Sequence, residues 1–165
     1  MVFAYYSKLS SKDKAVYRRS DSIEHVKLVL SAELRDSVVE LKSVLESEDR
    51  LSCEKTANQI LNSLASQLQV PSLRVRVLAS RPSNETEELH GLYEPVDGKK
   101  RARISVWMRT ARKKQIVAFR SFLRTLLHEF CHHLDYEYFL FPESFHTEGF
   151  FKRESAFLKQ LLEEN

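Results

Sequence analysis

Glycine and proline are scarce, with three and four residues in a chain of 165. Their rarity excludes collagen-like repeats, Gly/Pro-rich linkers and low-complexity sequence. Cysteine is rarer still: Cys53 and Cys131 form no disulfide framework and lack the spacing of a metal knuckle, and Cys131 reads as core filler. No stretch approaches the roughly 18 apolar residues of a membrane helix. The opening MVFAYYSKLSSKDK has no basic leader followed by an apolar run. The expectation is a soluble, intracellular, cytoplasmic protein with no membrane partner.

What is present suffices for a core. Hydrophobic residues are 42% of the chain and aromatics 10%, which fits a single domain over 1–165. The formal charge of +3 is unevenly distributed. Residues 97–124 hold ten basic side chains (Lys99, Lys100, Arg101, Arg103, Arg109, Arg112, Lys113, Lys114, Arg120 and Arg124) against Asp97 alone. Such a concentration suits phosphate backbones or acidic protein segments, so nucleic acid is a candidate partner through 99–124, against the plainer reading of a solvated connector.

Apolar spacing divides the chain. Residues 1–20 show no sustained period and read as an irregular arm. From Asp21, a capping box with Glu24 and the series Ile23, Val26, Leu30, Leu34, Val38, Leu41, Leu45 predict one long helix to about residue 48, an extra N-terminal element over 21–50. Ser52 is placed to cap a second helix that turns Ala57, Ile60, Leu61, Leu64 and Leu68 inward and stops before Pro71. The period then falls to two. Leu73, Val75 and Val77 predict a strand, residues 81–84 a turn, 89–94 a second strand, and Ile104, Val106 and Met108 a third, with Ser105 and Trp107 on its other face. A helix is expected from about Ile116 to Asp135, and a last one from Thr147 to Glu163 burying Phe150, Phe151, Phe157, Leu158, Leu161 and Leu162. The fold class is α+β.

The run LLHEFCHHLDY carries the chemistry. His128 and His132 are one helical turn apart, so both imidazoles project from one face and can grip one Zn²⁺. Glu129, beside the first ligand, is placed to take a proton from water, the arrangement of a hydrolytic zinc site. A third ligand is required. His146, fourteen positions after His132 and just past the Pro142 turn, is the first choice; Glu154 and Glu148 are rivals. Asp135, three positions after His132, either accepts the second N–H of a ligand imidazole or bonds to the following loop. Tyr93, Tyr136 and Tyr138 are candidates to donate to an oxyanion. Arg120 and Arg124 precede His128 on a similar face and are expected to make the cleft mouth basic. His133 is expected to be exposed or to support a ligand, while His25 and His90 have no partners in sequence.

With HEFCH at 128–132 followed by HTEGF at 146–150, the chain resembles the zincin metallopeptidases and, within them, the SprT/Spartan-like group. The likeness covers about residues 52–160. Thr147 stands where that group often has glycine. The resemblance implies a zincin-like domain, with a small three-stranded sheet packed on the motif helix and further helices before and after. It also implies Zn²⁺ on His128, His132 and His146, with Glu129 as catalytic base. The functional expectation is a zinc-dependent endopeptidase acting on intracellular proteins or peptides, among them nucleic-acid-associated ones. The alternative is a zinc-stabilised, non-catalytic regulatory or protein-binding module, in which the N-terminal helix docks on a partner or lies across the cleft.

Overall fold

Helices α1 (Ser11–Asp21), α2 (Ala32–Glu46) and α3 (Arg50–Gln67) precede strands β1 (Leu73–Ser80), β2 (Gly91–Glu94) and β3 (Ala102–Arg109) in the computed structural model. Helices α4 (Phe119–Glu137) and α5 (Glu148–Leu161) complete the order. Residues 2–80 and 91–164 are described. The turn expected at 81–84, the start of the strand expected at 89–94, and His90 lie outside them. The class is α+β, as expected. Among the described residues, no helix is long and apolar enough to cross a membrane.

The sheet runs in the order β1-β3-β2, with β1 parallel to β3 and β2 antiparallel to it. Alternation places Leu73, Val75, Val77, Ile104 and Val106 in the core. Because β3 is central, Ser105 and Trp107 are buried too. Among the described residues, no strand pairs with the outer edge of β1, and α3 takes that place. Asn62 bonds both N and O of Leu73 at 2.9 Å, Asn58 bonds N and O of Val75 at 2.9 and 2.8 Å, and Glu54 accepts from Val77 N at 2.9 Å. Arg50 donates to Val77 O at 3.0 Å. These side chains recur every four residues along one helix face, so they match the two-residue repeat of the strand edge and leave no row of bare peptide groups.

The N-terminal third departs from expectation in two ways. Residues 1–20 are not an irregular arm: a 3-10 turn (Ala4–Lys8) leads into α1, whose first turn is capped by Ser10 Oγ accepting from Asp13 N at 3.1 Å. Only Val16, Tyr17 and Ser20 of α1 are buried, too few to leave a visible period. Nor does one helix run from Asp21. Residues 23–31 form a non-helical strap in which Val26 and Leu28 are buried on alternate positions, a two-residue repeat that coincides briefly with helical spacing. Its backbone is held by side-chain amides: Gln160 bonds Leu28 N and Val26 O at 2.8 and 3.0 Å, and Gln67 bonds Val29 N and O at 2.9 and 3.1 Å. Helix α2 starts only after Ser31, whose Oγ accepts from Leu34 N.

Smaller shifts have local causes. Asp49, not Ser52, caps α3, because its carboxylate accepts from both Ser52 N and Ser52 Oγ. Helix α4 begins at Phe119 rather than Ile116, since Ile116 bridges to Arg109 and Val117 N donates to Met108 O at 2.7 Å, prolonging the end of β3. Below the sheet, α4 buries Phe122, Leu123, Leu126, Leu127, Phe130 and Leu134, and α5 adds Phe150, Phe157, Leu158 and Leu161. Phe151, expected inside, is 39% exposed, lying against Phe3 and the histidines instead.

Candidate metal centre

The apolar side of α4 packs under the sheet, which fixes the direction of its opposite side. His128 and His132 lie there one turn apart, with ring centroids 5.1 Å from each other. His146 reaches them from the connection before α5, its ring 5.0 Å from His128 and 4.8 Å from His132. One nitrogen from each histidine falls within 4.8 Å of the other two, close enough for all three to bind one metal ion. Phe150 closes the floor beneath them, 5.1 Å from His128 and 4.8 Å from His132.

The proton on each ring follows from its other neighbours. Ser144 Oγ donates to Asp135 Oδ2 at 2.7 Å, so it accepts from His132 Nδ1, also at 2.7 Å. His132 Nε2 is therefore a bare lone pair. On His128, Nδ1 donates to Glu154 Oε1 at 2.6 Å, which likewise frees Nε2. The Nε2 atoms of His132 and His146 are 3.0 Å apart. Two nitrogens on one tetrahedral Zn²⁺ at ~2.0–2.1 Å would be separated by ~3.3 Å, so a small adjustment accommodates the ion. Burial lowers the pKa of His132 to about 3, with His146 adding to the effect, and desolvation also lowers His146. Neutral rings are the form a metal requires.

Glu129 points toward the sheet side of the same cleft. It is 7% exposed, and burial raises its carboxyl to about 7. Gly91, at the start of β2, makes this possible: a Cβ there would stand 2.9 Å from Thr125 Cγ2 and 3.0 Å from Glu129 Cγ. The cleft has a volume of about 580 Å³, and Leu92, Tyr93, Pro95 and Tyr136 form much of its wall.

Glu154, a rival for third ligand, binds His128 Nδ1 and accepts from Arg124 at 3.1 Å, so it orients a histidine. Glu148 belongs to the first turn of α5 and lies beside Lys152 at 3.5 Å. Asp135 follows the second reading: it accepts from Ser144 of the following loop, and Ser144 Oγ rather than Asp135 accepts the second N–H of His132. It also pairs with Arg153 at 3.1 Å, both side chains being almost completely buried. Burial raises Asp135 to about 6 against the pull of Arg153 and Ser144.

His133 is fully buried rather than exposed; its Nε2 donates to Pro71 O at 2.8 Å, so Nδ1 accepts from Tyr93 Oη at 2.8 Å. The Tyr93 hydroxyl proton is thus engaged, although its ring lines the cleft and stacks on His132 and Tyr136. Tyr136 also lines the cleft, and Tyr138 is 43% exposed outside its wall. Arg124 lies at the mouth, whereas Arg120 turns away to Glu164 at 2.6 Å. His25 is exposed. Ser144 and Gly91 were not legible as site residues. The nearest signal for Ser144 was Asp135, one turn after His132.

The basic cluster is less concentrated in space than in sequence. Arg103 pairs with Glu94 on the neighbouring strand, and Arg109, Arg120 and Arg124 pair with Glu48, Glu164 and Glu154 from distant parts of the chain. Among the described residues, none from 21–50, where the N-terminal helix was expected, lines the cleft. Comparison with known proteins finds no matching family model, no matching curated protein and no matching solved structure.

Proposed function

We propose that this protein is a zinc-dependent endopeptidase that hydrolyses peptide bonds in intracellular proteins, similar in its site to the zincin metallopeptidases of the SprT/Spartan-like kind. The observation that carries the proposal is the convergence of His128, His132 and His146 beside the buried carboxyl of Glu129 in an open cleft. A three-nitrogen set favours zinc among divalent metals and leaves a coordination position for chemistry. When bound, the cation supplies Lewis-acid chemistry, polarising a carbonyl and making water nucleophilic near neutral pH.

The protein's own groups do the rest. Glu129 accepts the proton lost by the attacking water and passes it to the departing amine. Glu154 and Ser144 hold the proton on Nδ1 of His128 and His132, keeping the Nε2 lone pairs pointed at one place. Among the described residues, strand β2 pairs with β3 alone, and its residues Gly91, Leu92 and Tyr93 border the cleft. An extended peptide fits beside that edge as an added strand, which brings a main-chain carbonyl past Glu129 without demanding a particular side chain. Leu92, Tyr93, Pro95 and Tyr136 offer an apolar wall to neighbouring residues of the substrate.

Lys99, Lys100, Arg101, Arg112, Lys113 and Lys114 lie in the two connections flanking β3, outside the ion pairs that neutralise the four arginines. They support proteins held on nucleic acid as one substrate class. The decisive experiment measures metal content and cleavage of an unfolded protein by the wild type and by Glu129→Gln. Zinc in both with cleavage only by the wild type supports a peptidase. Zinc in both with cleavage by neither supports the alternative, a zinc-stabilised regulatory or binding module.

A further inference from the structure

His128 and His132 are placed by one helix, so their mutual geometry is internal to α4. His146 is not. It lies in the connection between α4 and α5, with its side chain exposed, and something outside that connection must hold it at the other two rings.

The neighbours of His146 are gripped from the far end of the chain. Tyr5 Oη donates to His146 O at 2.7 Å, and the Tyr5 ring lies 6.5 Å from Phe145 and 5.6 Å from Tyr17. Tyr17, fully buried, is 6.2 Å from Phe145 and accepts from Phe3 N at 2.9 Å. On the other side of the histidine, Thr147 Oγ1 meets Ser20 Oγ at 3.2 Å, and Gly149 N donates to Asp21 Oδ1 at 3.0 Å. The approach is so close that a Cβ on Gly149 would stand 2.5 Å from Asp21 O. Positions 145, 146, 147 and 149 are therefore each engaged by a residue from 5–21.

We infer that residues 3–21 are a brace for the third ligand, with Tyr5 and Asp21 as positioning residues that set His146 against His128 and His132 and so raise the affinity of the site for its metal. The inference rests on the three-histidine reading above. Simple packing of α1 on α5 would explain buried area there. It would not by itself direct a hydroxyl to the backbone of the ligand residue and a carboxylate to the first turn that follows it. A binding constant is sensitive to this kind of support: groups that orient a metal ligand typically account for about 10–100-fold in affinity.

The test uses the full chain and measures zinc affinity by chelator competition, together with the visible absorption of the Co²⁺ form and the melting temperature of the metal-free protein. Tyr5→Phe and Asp21→Ala are expected to weaken zinc binding about tenfold and to alter the Co²⁺ spectrum, with Asp21→Asn, which keeps an acceptor oxygen, restoring affinity. In a His146→Ala background, Tyr5→Phe should weaken binding no further, because the ligand it positions is gone. That comparison stays informative even where a variant loses stability. Wild-type affinity and spectrum in both Tyr5→Phe and Asp21→Ala, or an equal loss with and without His146, overturns the brace. A wild-type protein that takes up neither Zn²⁺ nor Co²⁺ overturns the three-histidine site itself, and the brace with it.

Discussion

Ser144 Oγ lies 2.7 Å from His132 Nδ1 and gives its own proton to Asp135, so a loop serine fixes which nitrogen of a helix histidine is free. Removing the hydroxyl leaves His132 Nδ1 without that acceptor and the ring without its tether. Ser144→Ala is expected to lower zinc affinity by about 10–100-fold while preserving the fold, as read by chelator competition and circular dichroism. Unchanged affinity would show that the ring is held by packing alone.

Behind Ser144 stands an ion pair with almost no access to water. Arg153 Nη2 donates to Asp135 and to Ser20 Oγ, while Nη1 donates to the carbonyls of Ser20 and Ile23 at 2.6 Å. Arg153→Met would strand the Asp135 carboxylate and two carbonyl oxygens. A loss of about 3–5 kcal/mol is expected in denaturant unfolding, because an uncompensated buried charge costs far more than the pair contributes.

Glu129 links stability to pH in the metal-free protein. Its folded-state pKa of about 7 lies above the ordinary value of 4.5. The native state therefore binds the proton more tightly than the unfolded one. The resulting stability is complete below about pH 4.5 and is lost as pH rises through about 7. The full loss amounts to roughly 3 kcal/mol. Glu129→Gln cannot ionise, so metal-free Glu129→Gln should melt progressively higher than wild type between pH 5 and pH 8. The same variant should keep its zinc and lose at least about 100-fold in hydrolysis. Parallel melting curves across that range would contradict the burial of this carboxyl.

Gly91 is expected to tolerate no side chain. A Cβ at that position presses on Thr125 and on Glu129 Cγ, and under the proposed mechanism moving Glu129 by about 1 Å is enough to cost about 100-fold in rate. For Gly91→Ala the expected result is normal zinc content with kcat reduced to that extent. Loss of metal instead would mean that the whole α4 face had shifted.

Binding of nucleic acid through 99–124 should weaken steeply with salt, with a slope set by the number of phosphates neutralised. Replacing Lys99, Lys100 and Arg101 together by alanine should reduce that slope, measured by fluorescence anisotropy on a labelled oligonucleotide. Absence of binding at low salt would remove proteins held on nucleic acid from the proposed substrates.

Local pattern was enough to reveal some of this protein. The strand at 73–77, the helix carrying His128 and His132, and the last helix capped by Thr147 are all written in repeats of two or of three to four residues. Such repeats report burial against a neighbour without saying which neighbour. For the same reason the strap at 23–31 passed for a helix: Val26 and Leu30 satisfy the helical interval as well as the two-residue one, and the amides of Gln67 and Gln160 that hold it lie far along the chain.

The pair of imidazoles one turn apart, with a carboxylate beside the first, was determined by sequence alone, since helix geometry fixes it once the helix forms. Tertiary structure decided what surrounds that pair. It brought His146 rather than Glu154 to the other two rings and turned Glu154 into a proton acceptor for His128. It linked Asp135 to His132 through Ser144, cleared space for Glu129 at Gly91, and set residues 5–21 against both sides of His146. Each of these is a meeting of residues far apart in the chain or on different elements, and no local repeat encodes such a distance.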